Sequence, residues 1–148
     1  MVIWGRKVKD RSFDSGDDWA TPRDLYEVWN QEFAFDFDPC PLKADFDGLS
    51  LSWGGRNFVN PPYSQKLKEA FIRKAVEEQA NGKLSVLLLP VSTSTAIFHD
   101  LIYGKAEIRF LRKRVKFEGV NTKGERVTTK CGMHDSMLVI FRPKEVRE

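Results

Sequence analysis

Cysteine and histidine are scarce in this chain, two of each among 148 residues. Cys40 and Cys131 are too few for a disulfide framework. His99 and His134 lie far apart and without a cysteine pair, so no zinc-ligand spacing is present. No run of about 18 apolar residues occurs, which excludes a membrane-spanning helix. The N-terminus lacks an apolar signal-like segment, and the expected location is cytoplasmic. Net charge is small, +3, and selects no partner class by itself. Internal repeats and low-complexity tracts are absent.

What remains is ordinary for a soluble globular protein: 41% hydrophobic and 30% charged residues. The length suits one domain with a real core. Residues 1–17 are polar and read as a flexible arm, and 18–148 as a single domain with no separate recognition domain. Charge is unevenly placed. Glu32, Asp36, Asp38, Asp45 and Asp47 gather against Lys43 alone, whereas Lys105, Arg109, Arg112, Lys113, Arg114 and Lys116 outweigh Glu107 and Glu118. An acidic region can receive a cationic cofactor and a basic stripe can receive phosphates. Read blandly, both are solvated faces.

The stretch that organises the rest is Asn57-Phe58-Val59-Asn60-Pro61-Pro62-Tyr63-Ser64. Two successive prolines neither continue a strand ladder nor enter a helix interior, so the chain turns here in a preset shape. The turn holds together the Asn60 amide, the Pro61 carbonyl and the Tyr63 ring. An amino group on an aromatic ring is a poor nucleophile because its lone pair is delocalised. Two acceptors aimed at its N–H bonds favour a tetrahedral nitrogen, and a ring stacked on the base holds it outside its duplex. The competing reading is an Asn-Pro turn at a strand end.

Around this corner the elements alternate. Thr21 suits a helix N-cap and Pro22 a first helical position, with Leu25, Val28, Trp29 and Phe33 on one face. Phe33 to Asp38 alternates as a strand does, and Asp38-Pro39-Cys40-Pro41 ends it. A helix from Ser64 to about Gly82 puts Leu67, Ala70, Phe71, Ala75 and Val76 inward and leaves Glu77 and Glu78 mostly outside. Leu84 to Leu89 reads as a strand covered on both faces. Ser92 to Thr95 offer caps for a helix ending near Gly104. Residues 106–111 and 115–117 read as strand pieces, 119–134 as a long loop, and 136–141 as a last strand. This order predicts an α/β fold, a minimal Rossmann-like sheet with helices on both faces and an antiparallel strand pair at the C-terminal end.

Asn60-Pro61-Pro62-Tyr63 is the signature of amino-group methyltransferases that use S-adenosylmethionine. With Trp19-Ala20-Thr21-Pro22, Phe37-Asp38-Pro39-Cys40-Pro41, Asp47-Gly48-Leu49, Trp53, Ser64 and Ala106-Glu107-Ile108-Arg109-Phe110, the chain resembles the phage-type DNA N6-adenine methyltransferases over residues 18–141. The resemblance implies S-adenosylmethionine as cofactor and double-stranded DNA with a flipped adenine as partner, without metal. It implies catalysis by Asn60, Pro61, Pro62 and Tyr63, and cofactor contacts from Thr21, Pro22, Asp38, Pro39, Cys40 and Asp47, with Asp45 second to Asp47. Ser64, Arg109, Arg112, Lys113, Arg114 and Lys116 become candidates for nucleic-acid contact. Prolines stand where the general methyltransferase pattern has a glycine-rich loop. Two other readings stay open: transfer to another amino group (an RNA base, cytosine N4 or protein glutamine), and a nucleic-acid-binding module without catalysis.

Overall fold

The computed structural model describes residues 20–41, 44–62, 64–120, 126–128 and 134–144. The expected N-terminal arm, Tyr63 and the tip of the 119–134 segment lie outside the described residues.

The fold is a four-stranded mixed sheet in the order β1-β2-β6-β3, where β1 is Arg56–Val59, β2 Leu84–Pro90, β3 Glu107–Phe110 and β6 Ser136–Phe141. Strands β1 and β2 are parallel, and β6 runs antiparallel to both β2 and β3. Every residue of β6 is buried, because it is paired on both sides and covered on both faces. Helix α1, Arg23–Phe33, closes one face. Trp29 and Phe33 pack there with Phe58, Val86, Leu88, Leu138 and Ile140. Helix α2, Gln65–Ala80, closes the other, where Phe71, Ile72 and Ala75 meet Val59, Leu87, Leu89, Met137 and Val139. The strict alternation along β2 and β6 is what sends successive side chains to opposite cores.

Five expectations change. Helix α1 starts at Arg23 with Pro22 at the N-cap position, and Thr21 provides no cap. The helix also runs through Phe33, so the expected Phe33–Asp38 strand shrinks to a single parallel bridge, Phe37 to Asn57. The cause is local. The Asn30 side chain accepts the Phe35 N–H at 2.8 Å while Ala34 takes the left-handed conformation, and these end the helix only there. Asp36 then substitutes its carboxylate for the ladder, accepting the Arg56 N–H at 3.0 Å.

The helix expected after Ser92–Thr95 is mainly one wide π turn, Phe98–Ile102. Residues 115–117 form no strand, although Val115 and Phe117 are buried. The long segment after them contains a separate hairpin, β4 (Glu118–Val120) with β5 (Arg126–Thr128).

The topology gives the sheet a chemical edge and a plain edge. Ile140 is the register partner of both Val86 and Glu107, and Met137 of both Leu89 and Phe110. Strand β3 therefore runs parallel to β1 and β2, and all three end on one edge. At the other edge, Gly82 (φ +85°) and Gly104 (φ +78°) turn the chain shortly before β2 and β3, each with open space where a side chain would stand. Both φ values favour glycine.

Candidate active site

Asn60, Pro61 and Pro62 follow directly on β1, whose last three residues are buried. Pro61 and Pro62 are themselves buried and Asn60 half-buried. The strand is fixed from beneath by Asn57. Its side-chain N–H groups donate to the Gly54 carbonyl at 2.9 Å and the Leu84 carbonyl at 3.0 Å, while its oxygen, also buried, has no partner. A corner anchored in this way presents its carbonyls in one geometry.

The segment bearing Asp38 leaves the sheet on the same edge, because the Phe37–Asn57 bridge is parallel and Phe58 N–H donates to the Phe37 carbonyl at 3.1 Å. Gly54 permits this approach: a Cβ there would stand 2.4 Å from Asp36 Oδ1. The Asp38 carboxylate accepts the Cys40 N–H at 2.8 Å, yet burial pushes its pKa up to about 6. Desolvation disfavours the charged form, and one hydrogen bond does not offset it. A cationic group brought beside Asp38 would restore the ionised form. Cys40 itself turns its side chain into the core at 4% exposure, so the Asp38-Pro39-Cys40 turn offers a ligand its backbone and the Asp38 carboxylate.

Asp47 is brought to the same place by Gly48. A Cβ on Gly48 would lie 1.8 Å from the Pro39 carbonyl oxygen, so the two acidic turns touch through backbone. Asp47 Oδ1 accepts the Leu49 N–H at 3.0 Å, and Phe46 stacks on Phe37 with ring centroids 5.9 Å apart. Asp45 is exposed.

Two residues emerge that the sequence reading passed over. Tyr26, one turn after Pro22, packs edge-on to Phe58, and its hydroxyl pKa is raised by burial and then by the charge of Asp38. The signal was its i+4 spacing from Pro22, which puts both on one helix face. Glu78, expected outside, is 1% exposed. Its carboxylate accepts the Trp53 N–H, the Asn81 amide at 3.0 Å and the Lys83 ammonium at 3.5 Å. Burial alone would raise its pKa, but the Trp53 and Asn81 hydrogen bonds and the charges of Lys83 and Lys74 lower it. Trp53 in turn donates its indole N–H to the Gly48 carbonyl at 2.7 Å. Glu78 thus holds the loop that holds the Asp47 turn. Spacing of three from Ala75 and seven from Phe71 already placed it on the buried stripe.

The basic candidates divide. Arg109 is clamped by Glu32 through two contacts of 2.7 Å and by Glu107 at 2.7 Å, over the Phe33 ring. The guanidinium thereby ties α1 to β3. Arg114 pairs with Asp135 at 3.0 Å. Arg112, Lys113 and Lys116 are exposed and follow the end of β3, on the edge that carries Asn60. Among the described residues no group of three or more His, Cys, Asp or Glu is arranged to hold a metal, and no helix is long and apolar enough to cross a membrane.

No solved structure matches the chain. The DNA N-6-adenine-methyltransferase of Escherichia phage T1 is 27% identical over 121 residues, covering 72% of this chain and 50% of that protein. The chain therefore spans about half the length of this curated relative. The family profile described as DNA N-6-adenine-methyltransferase (Dam) matches residues 9–148, nearly the whole sequence. With the corner, the acidic turns and the basic segment on one edge of the sheet, the match has a physical counterpart, and the chain belongs to the DNA N-6-adenine-methyltransferase family.

Proposed function

We propose that the protein transfers a methyl group from S-adenosylmethionine to the N6 amino group of adenine in DNA, in keeping with the DNA N-6-adenine-methyltransferase name of its family and of the phage T1 relative. The observation that carries the proposal is topological: Asn60–Pro62, Asp38–Cys40 and the segment holding Arg112, Lys113 and Lys116 all leave the sheet at its carboxyl edge, where α/β folds take their ligands.

The residues fit a sulfonium cofactor with a cationic amino group. Asp38 supplies a carboxylate whose ionisation such a cation would favour, and Thr21 Oγ1 is buried without a partner beside the start of α1. Asp38, Pro39 and the backbone of Cys40, with Thr21 and Pro22, would hold the methionine end. Asp47 would accept from the cofactor's adenine amino group. When bound, the cofactor supplies the methyl group.

Asn60 Oδ1 and the Pro61 carbonyl accept the two N–H bonds of the target amino group and hold its lone pair toward the donor. Pro62 stiffens the turn, and Tyr63 stacks on the extruded base. Neither Asn60 nor Pro61 is a base at neutral pH, so their contribution is orientation, worth on the order of 7–11 kcal/mol in well-aligned transfers. Arg112, Lys113 and Lys116 contact phosphates, while Ser64 stands at the start of α2 beside the strand.

The test is labelled methyl transfer offered in parallel to DNA, RNA and protein, followed by mapping of the modified base. Label on adenine N6 of DNA is the expected result, and label on protein or RNA alone overturns the reading.

A further inference from the structure

A second recess opens on the same edge, on the α2 face of the sheet, and no role has been assigned to it. It has a volume of about 120 Å³, with an apolar floor that includes Ile72, Leu89, Phe98 and Met137 and a polar rim of Gln65, Lys68, Glu69, Ser92 and Thr95. Its size excludes the cofactor and any drug-sized ligand, whose pockets run to about 300–1,000 Å³. It suits one small group.

The polar groups on its walls are mostly committed. Glu69 accepts the Gln65 amide at 3.1 Å. Thr95 Oγ1 donates to the Ser92 carbonyl at 2.9 Å and accepts the Phe98 N–H at 3.4 Å. His99 bonds the Thr93 carbonyl at 2.7 Å, which fixes the far wall. Two groups stand apart. Among the described residues Lys68 makes no ion pair and the Ser92 hydroxyl makes no hydrogen bond. Lysine offers donors only, and a serine hydroxyl can donate. The two can donate to one acceptor, and the Lys68 charge favours an anion, although the Glu69 carboxylate on the same wall opposes it. Half-burial, the larger influence on Lys68, lowers its pKa, and the charge of Glu69 opposes this. A bound anion would reverse the first effect.

Position names the source. Lys68 lies one turn past the catalytic corner, its N–H donating to the Ser64 carbonyl at 2.8 Å. Four residues of helix rise about 6 Å, so Lys68 lies within one or two nucleotides of a base held at the corner. We propose that this recess holds a backbone phosphate of the target DNA strand, next to the extruded adenosine, with Lys68 and Ser92 as its donors. The proposal rests on the reading of the protein as a DNA methyltransferase.

The experiment measures binding of a duplex oligonucleotide across a salt series, for wild type, Lys68→Gln and Ser92→Ala, with S-adenosylmethionine affinity measured alongside. Losing one phosphate contact should lower the slope of log affinity against log salt by about 0.7–0.9 in Lys68→Gln. In Ser92→Ala the affinity should fall by about tenfold at every salt concentration with the slope unchanged. Cofactor affinity should stay level in both. A wild-type slope in folded Lys68→Gln overturns the proposal while leaving the methyltransferase reading intact. If Lys68→Gln fails to fold, Ser92→Ala decides, and unchanged duplex affinity overturns the proposal. A thermal shift with inorganic phosphate that Lys68→Gln abolishes, alongside an unchanged duplex slope, shows a free-anion site and also overturns it. Absence of any wild-type duplex binding removes the functional reading and this inference with it.

Discussion

The acidic edge beside β1 and the ladder around β6 belong to one sheet but are held by opposite means. Strand β6 is fixed by backbone pairing on both sides and by apolar burial on both faces. The acidic edge has one bridge, at Phe37, and is otherwise assembled from carboxylates that accept backbone N–H groups: Asp36 from Arg56, Asp38 from Cys40, Asp47 from Leu49 and Glu78 from Trp53. Asp38 and Glu78 show how finely this is set. Both are removed from water, yet the pKa of Asp38 is raised and that of Glu78 lowered. The difference is partners: one backbone donor for Asp38, against the Trp53 and Asn81 donors and the charges of Lys83 and Lys74 for Glu78. The ladder gives stability that is indifferent to chemistry, whereas the acidic edge makes geometry depend on proton and charge.

Substitutions should separate the two regions. Asn60→Ala should lower methyl transfer by about 10²–10³-fold, the scale seen when one aligned polar group is removed from a reacting centre. Calorimetry with the cofactor should show unchanged binding, and full activity would remove Asn60 from the mechanism. In the ladder, Leu138→Ala should cost about 2–5 kcal/mol in denaturant unfolding. Cofactor affinity of the folded fraction should remain as in wild type.

Glu78→Gln should do both kinds of damage. Breaking a buried charged pairing costs about 3 kcal/mol, and the loosened Trp53–Gly48 contact should weaken cofactor binding while duplex binding holds. A loss of stability with no change in cofactor affinity would make Glu78 a structural residue alone.

The smallest effect is that of pH on Asp38. Its folded pKa of about 6 exceeds the ordinary 3.8, so the folded protein binds the extra proton. Stability of the cofactor-free protein should fall as pH rises from about 4 to about 6 and then level off. Cofactor affinity should move the opposite way, rising about tenfold as Asp38 ionises. Asp38→Asn should flatten both profiles.

Much of this was legible in the residues. The double proline at 61–62, the apolar run of β2 and the glycine-stopped α2 are local signals, and each stands where its pattern put it, although Ser64 at the N-cap position makes no side-chain cap hydrogen bond. What escaped was set by contacts distant in sequence. Arg109 reads in the sequence as one member of a basic stripe, and only folding brings Glu32 to it from 77 residues away. Glu78 looked solvated because charge outweighed spacing in the reading. The Phe33–Asp38 alternation was real, but Asn30 and Asp36 spent the backbone differently by side-chain hydrogen bonding.

The two open turns at Gly82 and Gly104 have a practical meaning. They sit at the edge remote from Asn60, Asp38 and the basic segment, and a residue added at either place meets nothing within 4 Å. Exposed turns of this kind tolerate insertion well. A fluorescent reporter or a second binding module spliced there would stand clear of the edge that gathers the corner, the acidic turns and the basic segment.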